Sequence, residues 1–216
     1  MPFMPPADDD GDSGPRHGRP PSTTHHDLER LGIEMFTRFG YAKTSVEEIA
    51  GSAGISRRTF FRYFPTKADV VWGDFEREIE RLRASLEAVP ATVPMMTALR
   101  HAVVDFNRVP PEETEHHRAR LRLILGEPDL IARSMVKFAG WRQVIAEFAG
   151  GRLGQEPTDL FPQVVGECAL GASVAAYRRW FVDEGAHLSA LMDEAFRMLE
   201  LMGPTASSVS VHEDRE

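Results

Sequence analysis

A single cysteine in 216 residues rules out a disulfide within the chain. That residue, Cys168, lies in the run CALGASVAAY, where it is expected to pack as a small hydrophobe rather than to sense redox state. No apolar run reaches the ~18 to 20 residues that cross a bilayer, so no membrane span is expected. The opening stretch, MPFMPPADDDGDSGPRHGRPPS, is rich in Pro, Gly and Asp and lacks a basic-then-apolar export signal. A cytoplasmic protein with a disordered N-terminal arm is the expectation. The signatures of catalysis are missing as well: there is no Gly-rich phosphate loop, no nucleophile elbow and no CxxC. His25-His26 and His116-His117 are adjacent pairs, which a helix splays about 100° apart, and neither has the i, i+4 spacing of a helical zinc pair. Neither an enzyme, a metal nor a cofactor is therefore expected.

Positive charge is scarce overall. A net charge of −8 argues against a general nucleic-acid coat. The charge is unevenly spread, however. Positions 16–67 carry nine Arg and Lys against five Asp and Glu, a local balance of +4, which leaves −12 for the rest. Such a chain suits an approach to DNA with one end. In the arm, Arg16, His17 and Arg19 allow either a contact to flanking DNA or plain solvation.

Period-two alternation is absent, and apolar residues recur at helical spacing throughout, so the fold class is all-α with about nine helices. Within 44–67, TSVEEIAGSAGISRRTFFRYFPTK, the punctuation is dense. Thr44 or Ser45 caps a short helix, with Glu47 or Glu48 three residues on. Val46, Ile49, Ala50 and Ala53 give that helix a buried face. Gly54 supplies a turn, and Ser56 caps a second short helix whose Phe60 and Phe64 point back at the first. Pro65 ends it, and Thr66 caps the next helix with Asp69. The outward positions of the second helix are Arg57, Arg58, Thr59, Phe61, Arg62 and Tyr63. Arginine can donate two hydrogen bonds to guanine and phenylalanine can pack on a thymine methyl, whereas hydroxyls and Lys67 can hold phosphates without reading sequence. Two helices joined by a tight turn can lay the second in a major groove. The competing reading is a solvated face on a small bundle.

This segment resembles the TetR family of bacterial transcriptional regulators. The pattern T-[ST]-V-x-x-I-A-x-x-A-G-[IV]-S-x-x-T-[FL]-[FY]-x-[HY]-F-x-[ST]-K is filled without gaps from Thr44 to Lys67. The preceding LERLGIEMFTRFGYAKTSV fits the family's first helix, so the match covers about 27–87. The resemblance implies that Arg57, Arg58, Thr59 and Phe61 face bases or the adjacent backbone, and that Thr44, Ser45, Tyr63 and Lys67 hold phosphates. With Ser56 and Arg62 these complete the expected DNA-facing set. Many members have tyrosine where this chain has Phe61, so an apolar contact replaces a hydroxyl contact here.

The expected organisation is an arm over 1–23, a helix-turn-helix domain over 24–66, a helical ligand-binding and dimerisation domain over 67–203 and a flexible tail over 204–216. In the first helix, 24–39, Leu28, Leu31, Met35, Phe36 and Phe39 form the apolar stripe. A continuous helix over 67–89, about 30 Å long, would be the lever between the two domains. Further helices are expected over 95–109, 112–125, 128–148, 161–182 and 187–202, with 150–162 as a connection.

Gly166, Ala169, Gly171, Ala172, Ser173, Ala175 and Ala176 allow close helix approach, and Leu188, Leu191, Met192, Ala195, Met198, Leu199 and Met202 give the last helix a broad apolar side. These two helices either pack within one subunit or pair with a second copy. The resemblance implies a homodimer built that way on a double-stranded, inverted-repeat operator. It also implies a small-molecule effector pocket among the middle helices. Phe106, Leu121, Leu125, Met135, Phe138, Trp141, Ile145, Phe148, Tyr177, Trp180 and Phe181 are candidate lining residues or, equally, core. Arg118, Arg120, Arg122, Arg133, Arg142, Arg178 and Arg179 allow an anionic group on the ligand or a solvated basic face. SRRTFFRYFPTKADVVWGDFE with HRARLRLIL, FAGWRQVIAEF and LGASVAAYRRW resembles, more narrowly, the TetR-type regulators of mycofactocin gene clusters, a branch associated with acyl-coenzyme A. The expectation is thus a ligand-responsive DNA-binding regulator, most simply a repressor. Its rivals are an acyl-thioester-binding protein or enzyme with a vestigial DNA-binding unit, and a ligand-independent regulator or activator.

Overall fold

The computed structural model describes residues 23–202; the N-terminal arm with Arg16, His17 and Arg19, and the tail from 203, lie outside them. Among the described residues the fold is all-α: α1 (His25–Phe39), α2 (Val46–Ser52), α3 (Arg57–Tyr63), α4 (Phe75–Glu87), α5 (Met95–Phe106), α6 (Thr114–Gly126), α7 (Pro128–Leu153), α8 (Leu160–Val182) and α9 (Leu188–Met202). Short 3-10 turns at Lys67–Val71 and Pro111–Glu113 complete it.

The first three helices are set by local chemistry. Thr24 accepts the Asp27 N–H and Asp27 accepts the Thr24 N–H, closing a capping box at α1. Ser45, not Thr44, caps α2, in a second box with Glu48. Ser56 caps α3 by accepting the Thr59 N–H at 3.1 Å. After α2, Gly54 takes φ +67°, and the Ile55 and Gly54 N–H groups close a Schellman turn on the carbonyls of Ala50 and Gly51. Phe60 and Phe64 are fully buried against Ile49 and Ala50 of α2 and Leu28, Ile33 and Phe36 of α1. The α1 stripe differs from expectation at both ends. Phe39 is 51 % exposed, with the Arg38 guanidinium 5.1 Å from its ring, while Glu29 is buried.

The expected 67–89 helix is broken. A 3-10 turn at Lys67–Val71 is followed by a bend, and α4 starts only at Phe75. Val70, Val71 and Trp72 are all buried, and three successive side chains at 100° intervals cannot share one helical face. Gly73 then turns the chain at φ +49° and passes so close to Glu29 that a Cβ there would lie 2.7 Å from a carboxylate oxygen. The lever is therefore α4 alone, buried through Ile79, Leu82 and Leu86 and tied to α7 by the Arg83–Glu147 and Lys137–Glu76 ion pairs.

The expected connection from 150 also moves: α7 continues to Leu153. Gly150 serves packing there, since a Cβ on it would meet the Gln155 carbonyl at 2.7 Å. Two residues on, Arg152 donates to the carbonyls of Val89, Pro90, Ala91 and Val93, capping the chain after α4. On α8, Gly166 lies against the Arg142 carbonyl of α7. Cys168, expected in the core, is exposed on the opposite side of α8. A buried face of Pro162, Gly166, Ala169, Ser173 and Ala176 leaves it pointing outward.

Candidate nucleic-acid interface and ligand cavity

On α3, Arg57, Arg58, Phe61 and Arg62 are exposed and share the outward side, while Thr59 is half-buried. The Arg57 Nε lies 2.9 Å from Glu47 Oε1 of α2, and its guanidinium stands 5.3 Å from the Phe61 ring centre. Both contacts hold that arginine extended along the face. The outer positions thus present cations and an aromatic ring on a helix anchored by Phe60 and Phe64.

The smaller polar residues of the expected set are engaged internally. The Ser45 hydroxyl donates to Glu48 Oε2 at 2.8 Å, and the Ser45 N–H donates to the same carboxyl, which holds Glu48 below its ordinary range. The Ser56 hydroxyl lies 2.9 Å from that of Thr59. Thr44 is buried, with its hydroxyl donating to the Gly40 carbonyl at 2.9 Å. The Tyr63 hydroxyl donates to the Thr23 carbonyl at 2.8 Å. Lys67 donates to the carbonyls of Tyr41 and Thr44 at 2.9 and 3.1 Å and sits 4.2 Å from the Tyr41 ring centre. It staples the end of α3 to the α1–α2 turn.

A cavity of about 600 Å³ lies between α1, the bend at Trp72–Asp74, and the helices α4 to α8. Phe106, Leu121, Phe138, Trp141 and Tyr177 line it. Phe75, Trp72, Phe106, Phe138 and Trp141 stack edge-on in a continuous aromatic wall. Ile145 and Trp180 are buried away from it, and Leu125, Phe148 and Phe181 pack partly buried on the core. Met135 is 61 % exposed: the inward face of α7 runs through Leu130, Ser134, Trp141 and Ile145, and Met135 is turned about 100° from Ser134.

In the polar part of the cavity, Arg120 and Tyr177 were expected candidates, whereas Glu29, His117 and Asn107 were not. Glu29 of α1 and His117 and Arg120 of α6 form a chain: Arg120 donates to Glu29 Oε1 at 3.0 Å and to His117 Nδ1 at 2.8 Å. A guanidinium only donates, so Nδ1 accepts and the His117 proton sits on Nε2. That N–H is buried without a partner. Burial first, then the neighbouring Arg120 and His116, push the His117 pKa down to about 3, so the ring is neutral near pH 7. Opposite it, the Tyr177 hydroxyl donates to Asn107 Oδ1, and Asn107 donates to the Val103 carbonyl. Burial raises the Tyr177 pKa and keeps that hydroxyl protonated. Arg81 and Arg108 stand at the rim with Glu78 and Asp74.

Of the other candidate arginines, Arg133 and Arg178 are exposed outside the cavity and four are engaged elsewhere. Arg118 is buried 4.4 Å from the Trp180 ring centre, Arg122 donates to the Phe181 carbonyl, and Arg142 and Arg179 pair with Glu167 and Asp183. Among the described residues no group of three His, Cys, Asp or Glu could hold a metal ion, and no helix is long and apolar enough to cross a membrane.

A short, capped helix bearing arginines beside a helical domain with an aromatic cavity defines a one-component helix-turn-helix regulator. The chain belongs to the TetR family of bacterial transcriptional regulators: residues 30–71 match "Bacterial regulatory proteins, tetR family" and residues 93–202 match "MftR C-terminal domain". It is 41 % identical to the Mycobacterium tuberculosis protein named as mycofactocin biosynthesis transcriptional regulator MftR, over 84 % of this chain and 91 % of that one. It is 29 % identical to the HTH-type transcriptional regulator TcmR of Streptomyces glaucescens, over 78 % and 77 %. In structure it resembles FadR from Bacillus subtilis in complex with stearoyl-CoA, with a TM-score of 0.59 at 16 % identity over 82 % of this chain and 97 % of that one. Thermus thermophilus FadR in complex with lauroyl-CoA gives 0.52 at 22 % identity over 82 % and 93 %.

Proposed function

We propose that the protein is a cytoplasmic, dimeric repressor that binds an inverted-repeat operator and is released by an apolar effector, with acyl thioesters as the effector class. The carrying observation is the exposed Arg57–Arg58–Phe61–Arg62 face on a helix whose other face is locked by Phe60 and Phe64. Arginine pairs with guanine edges, and Phe61 meets a thymine methyl. Ser45, Ser56 and the backbone beside Thr44, Tyr63 and Lys67 lie along the phosphates. Residues 24–66 are the DNA-binding unit and 67–203 the effector and dimerisation unit.

A second copy would cover the outer strip of α8 and α9. Phe161, Val164, Cys168, Gly171 and Ala175 are exposed at alternating three- and four-residue steps, and Met198 and Leu201 continue the strip on α9 at 53 % and 83 % exposure. Small and apolar side chains at that spacing are what a helical interface needs. Two α3 helices would then enter successive major grooves, with half-sites about one helical turn apart or somewhat more.

The aromatic wall is matched to an acyl chain, and a volume of about 600 Å³ is within the range of small-molecule sites. The FadR complexes with stearoyl-CoA and lauroyl-CoA, and the identity to the mycofactocin regulator, favour that ligand class and a target within mycofactocin genes. Release by a hundredfold requires the effector to distinguish the two states by about 2.7 kcal/mol. The test is fluorescence anisotropy on the DNA upstream of the protein's own gene, with long-chain acyl-CoA added to the complex. Salt-sensitive binding to a palindrome, reversed by the thioester, is expected. Equal affinity for random DNA would refute the regulator, and undisturbed complexes would refute the effector.

A further inference from the structure

One ion pair joins the DNA-binding unit to the cavity from the inside. Glu29 is 9 % exposed and Arg120 27 %, against 49 % and 27 % for Arg30–Glu113, the pair that bridges α1 to the segment before α6 on the outside. The rim arginines Arg81 and Arg108 are 62 % and 70 % exposed. One Glu29 oxygen is held by Arg120, and the carboxyl occupies the space that a Cβ on Gly73 would fill, at the edge of the cavity. Three elements therefore meet at one carboxylate, namely α1, the bend that starts α4, and α6.

We propose that Arg120 is the anion-reading group of the cavity, that Glu29 holds its place until an effector binds, and that an effector with a carboxylate or phosphate head takes Arg120 from Glu29 and shifts α1. The proposal rests on the effector-released reading above and names the head group and the route. An anion entering beside the intact pair would set two negative groups on one guanidinium in a poorly screened site. Exchange resolves this, because Arg120 keeps a partner and Glu29 must turn away. Once it turns, α1 loses its inner tie to α6, and the bend at Gly73 loses the carboxyl beside it. His117 is neutral and does not compete as a cation, and its unpartnered Nε2–H marks a donor beside the exchange. A neutral head has no charge to exchange and leaves the pair closed.

The test uses the full chain with dodecanoate, dodecyl phosphate and dodecanol. Affinities are read by calorimetry, motion of α1 by hydrogen exchange at the amides of residues 29–33, and DNA release by anisotropy. One of the anionic probes should bind about tenfold tighter than dodecanol and speed exchange in α1, and which one does so identifies the head. Glu29→Gln should tighten that probe about fivefold, leave dodecanol unchanged and reduce the ligand's effect on DNA to about twofold or less. Arg120→Gln should erase the preference over dodecanol. Glu113→Gln, which breaks the outer pair, should match the parent in every arm. The proposal is overturned if dodecanol equals the anions in the parent, or if Glu29→Gln binds the anionic probe no better than the parent does. Should Glu29→Gln fail to fold, head-group discrimination in Arg120→Gln decides by itself. Should no operator be bound, the repressor reading fails, while the calorimetric and exchange arms still decide the ion-pair exchange.

Discussion

The DNA-binding unit and the cavity are built on opposite principles. In α1 to α3 each helix start is closed by a group three residues away, through the boxes Thr24–Asp27 and Ser45–Glu48 and the cap Ser56–Thr59, and the core is closed by aromatic rings. Around the cavity the polar groups find partners across 91 residues for Glu29–Arg120 and 70 for Asn107–Tyr177, and the N–H groups of Trp72 and His117 find none. A unit whose caps and core are satisfied within itself can hold the α2–α3 pair in shape even when α1 is shifted against the cavity. A site held by distant partners, with donors left over, can be rearranged by what enters it. Rigid presentation of arginines and a responsive pocket call for those two constructions respectively.

The contrast can be broken most violently at Phe60. Phe60→Ala removes a fully buried ring between α2 and α3 and is expected to cost about 3 to 5 kcal/mol in chemical denaturation, taking DNA binding with it. Arg58→Ala should leave the melting temperature unchanged, cost about 1 to 3 kcal/mol on the operator and relax base preference. Similar losses on operator and random DNA would place Arg58 on phosphates instead. Lys67 divides the two regions differently. Because its ammonium holds the Tyr41 and Thr44 carbonyls, Lys67→Met should lower stability as well as DNA affinity, whereas a purely phosphate-binding lysine would flatten the salt slope alone.

On the cavity side, His117 is neutral in the fold and titrates near its ordinary 6.5 when unfolded. The unfolded chain then binds more protons below that value, so stability should fall as pH drops from about 6.5 toward about 3, by up to about 1.4 kcal/mol per pH unit. Full stability from this group is present above 6.5. His117→Asn should flatten that limb of the profile, measured by denaturant midpoints across pH. The smallest effect is at a cap: Ser45→Ala should cost about 1 kcal/mol.

Much of the DNA-binding unit was legible in the sequence because its determinants are spaced three and four residues apart. Ser56, Phe60 and Phe64 carry their meaning in one window. The exceptions were cases of local ambiguity. Thr44 and Ser45 are both competent caps, and burial of Thr44 settled the matter. The straight 67–89 helix was suggested by charge alternation in FEREIERLRASLE, but the run Val70, Val71, Trp72 before it exceeds what one face can bury. Five of the expected lining aromatics and aliphatics reached the cavity, since most large apolar side chains at helical spacing on α5 to α8 face the space between those helices. Leu125, Ile145, Phe148, Trp180 and Phe181 did not, because periodicity fixes a helix's apolar side and not which part of that side meets open space, and Met135 lies on the outer side. Glu29 carried one faint signal, an acid directly after Leu28 and three residues before Gly32 on the inward side of α1. Nothing in a window around it names Arg120.

What the sequence determined by itself is the three-helix unit with its outward arginines, because caps, turns and i, i+4 aromatic pairs act within a few residues and need no distant partner. What only the tertiary structure decided is the bend at Gly73, the outward turn of Cys168 and the Glu29–Arg120–His117 chain in the cavity wall. Those depend on which surfaces are brought within hydrogen-bond range, and that is set by the packing of whole helices rather than by the order of residues along any one of them.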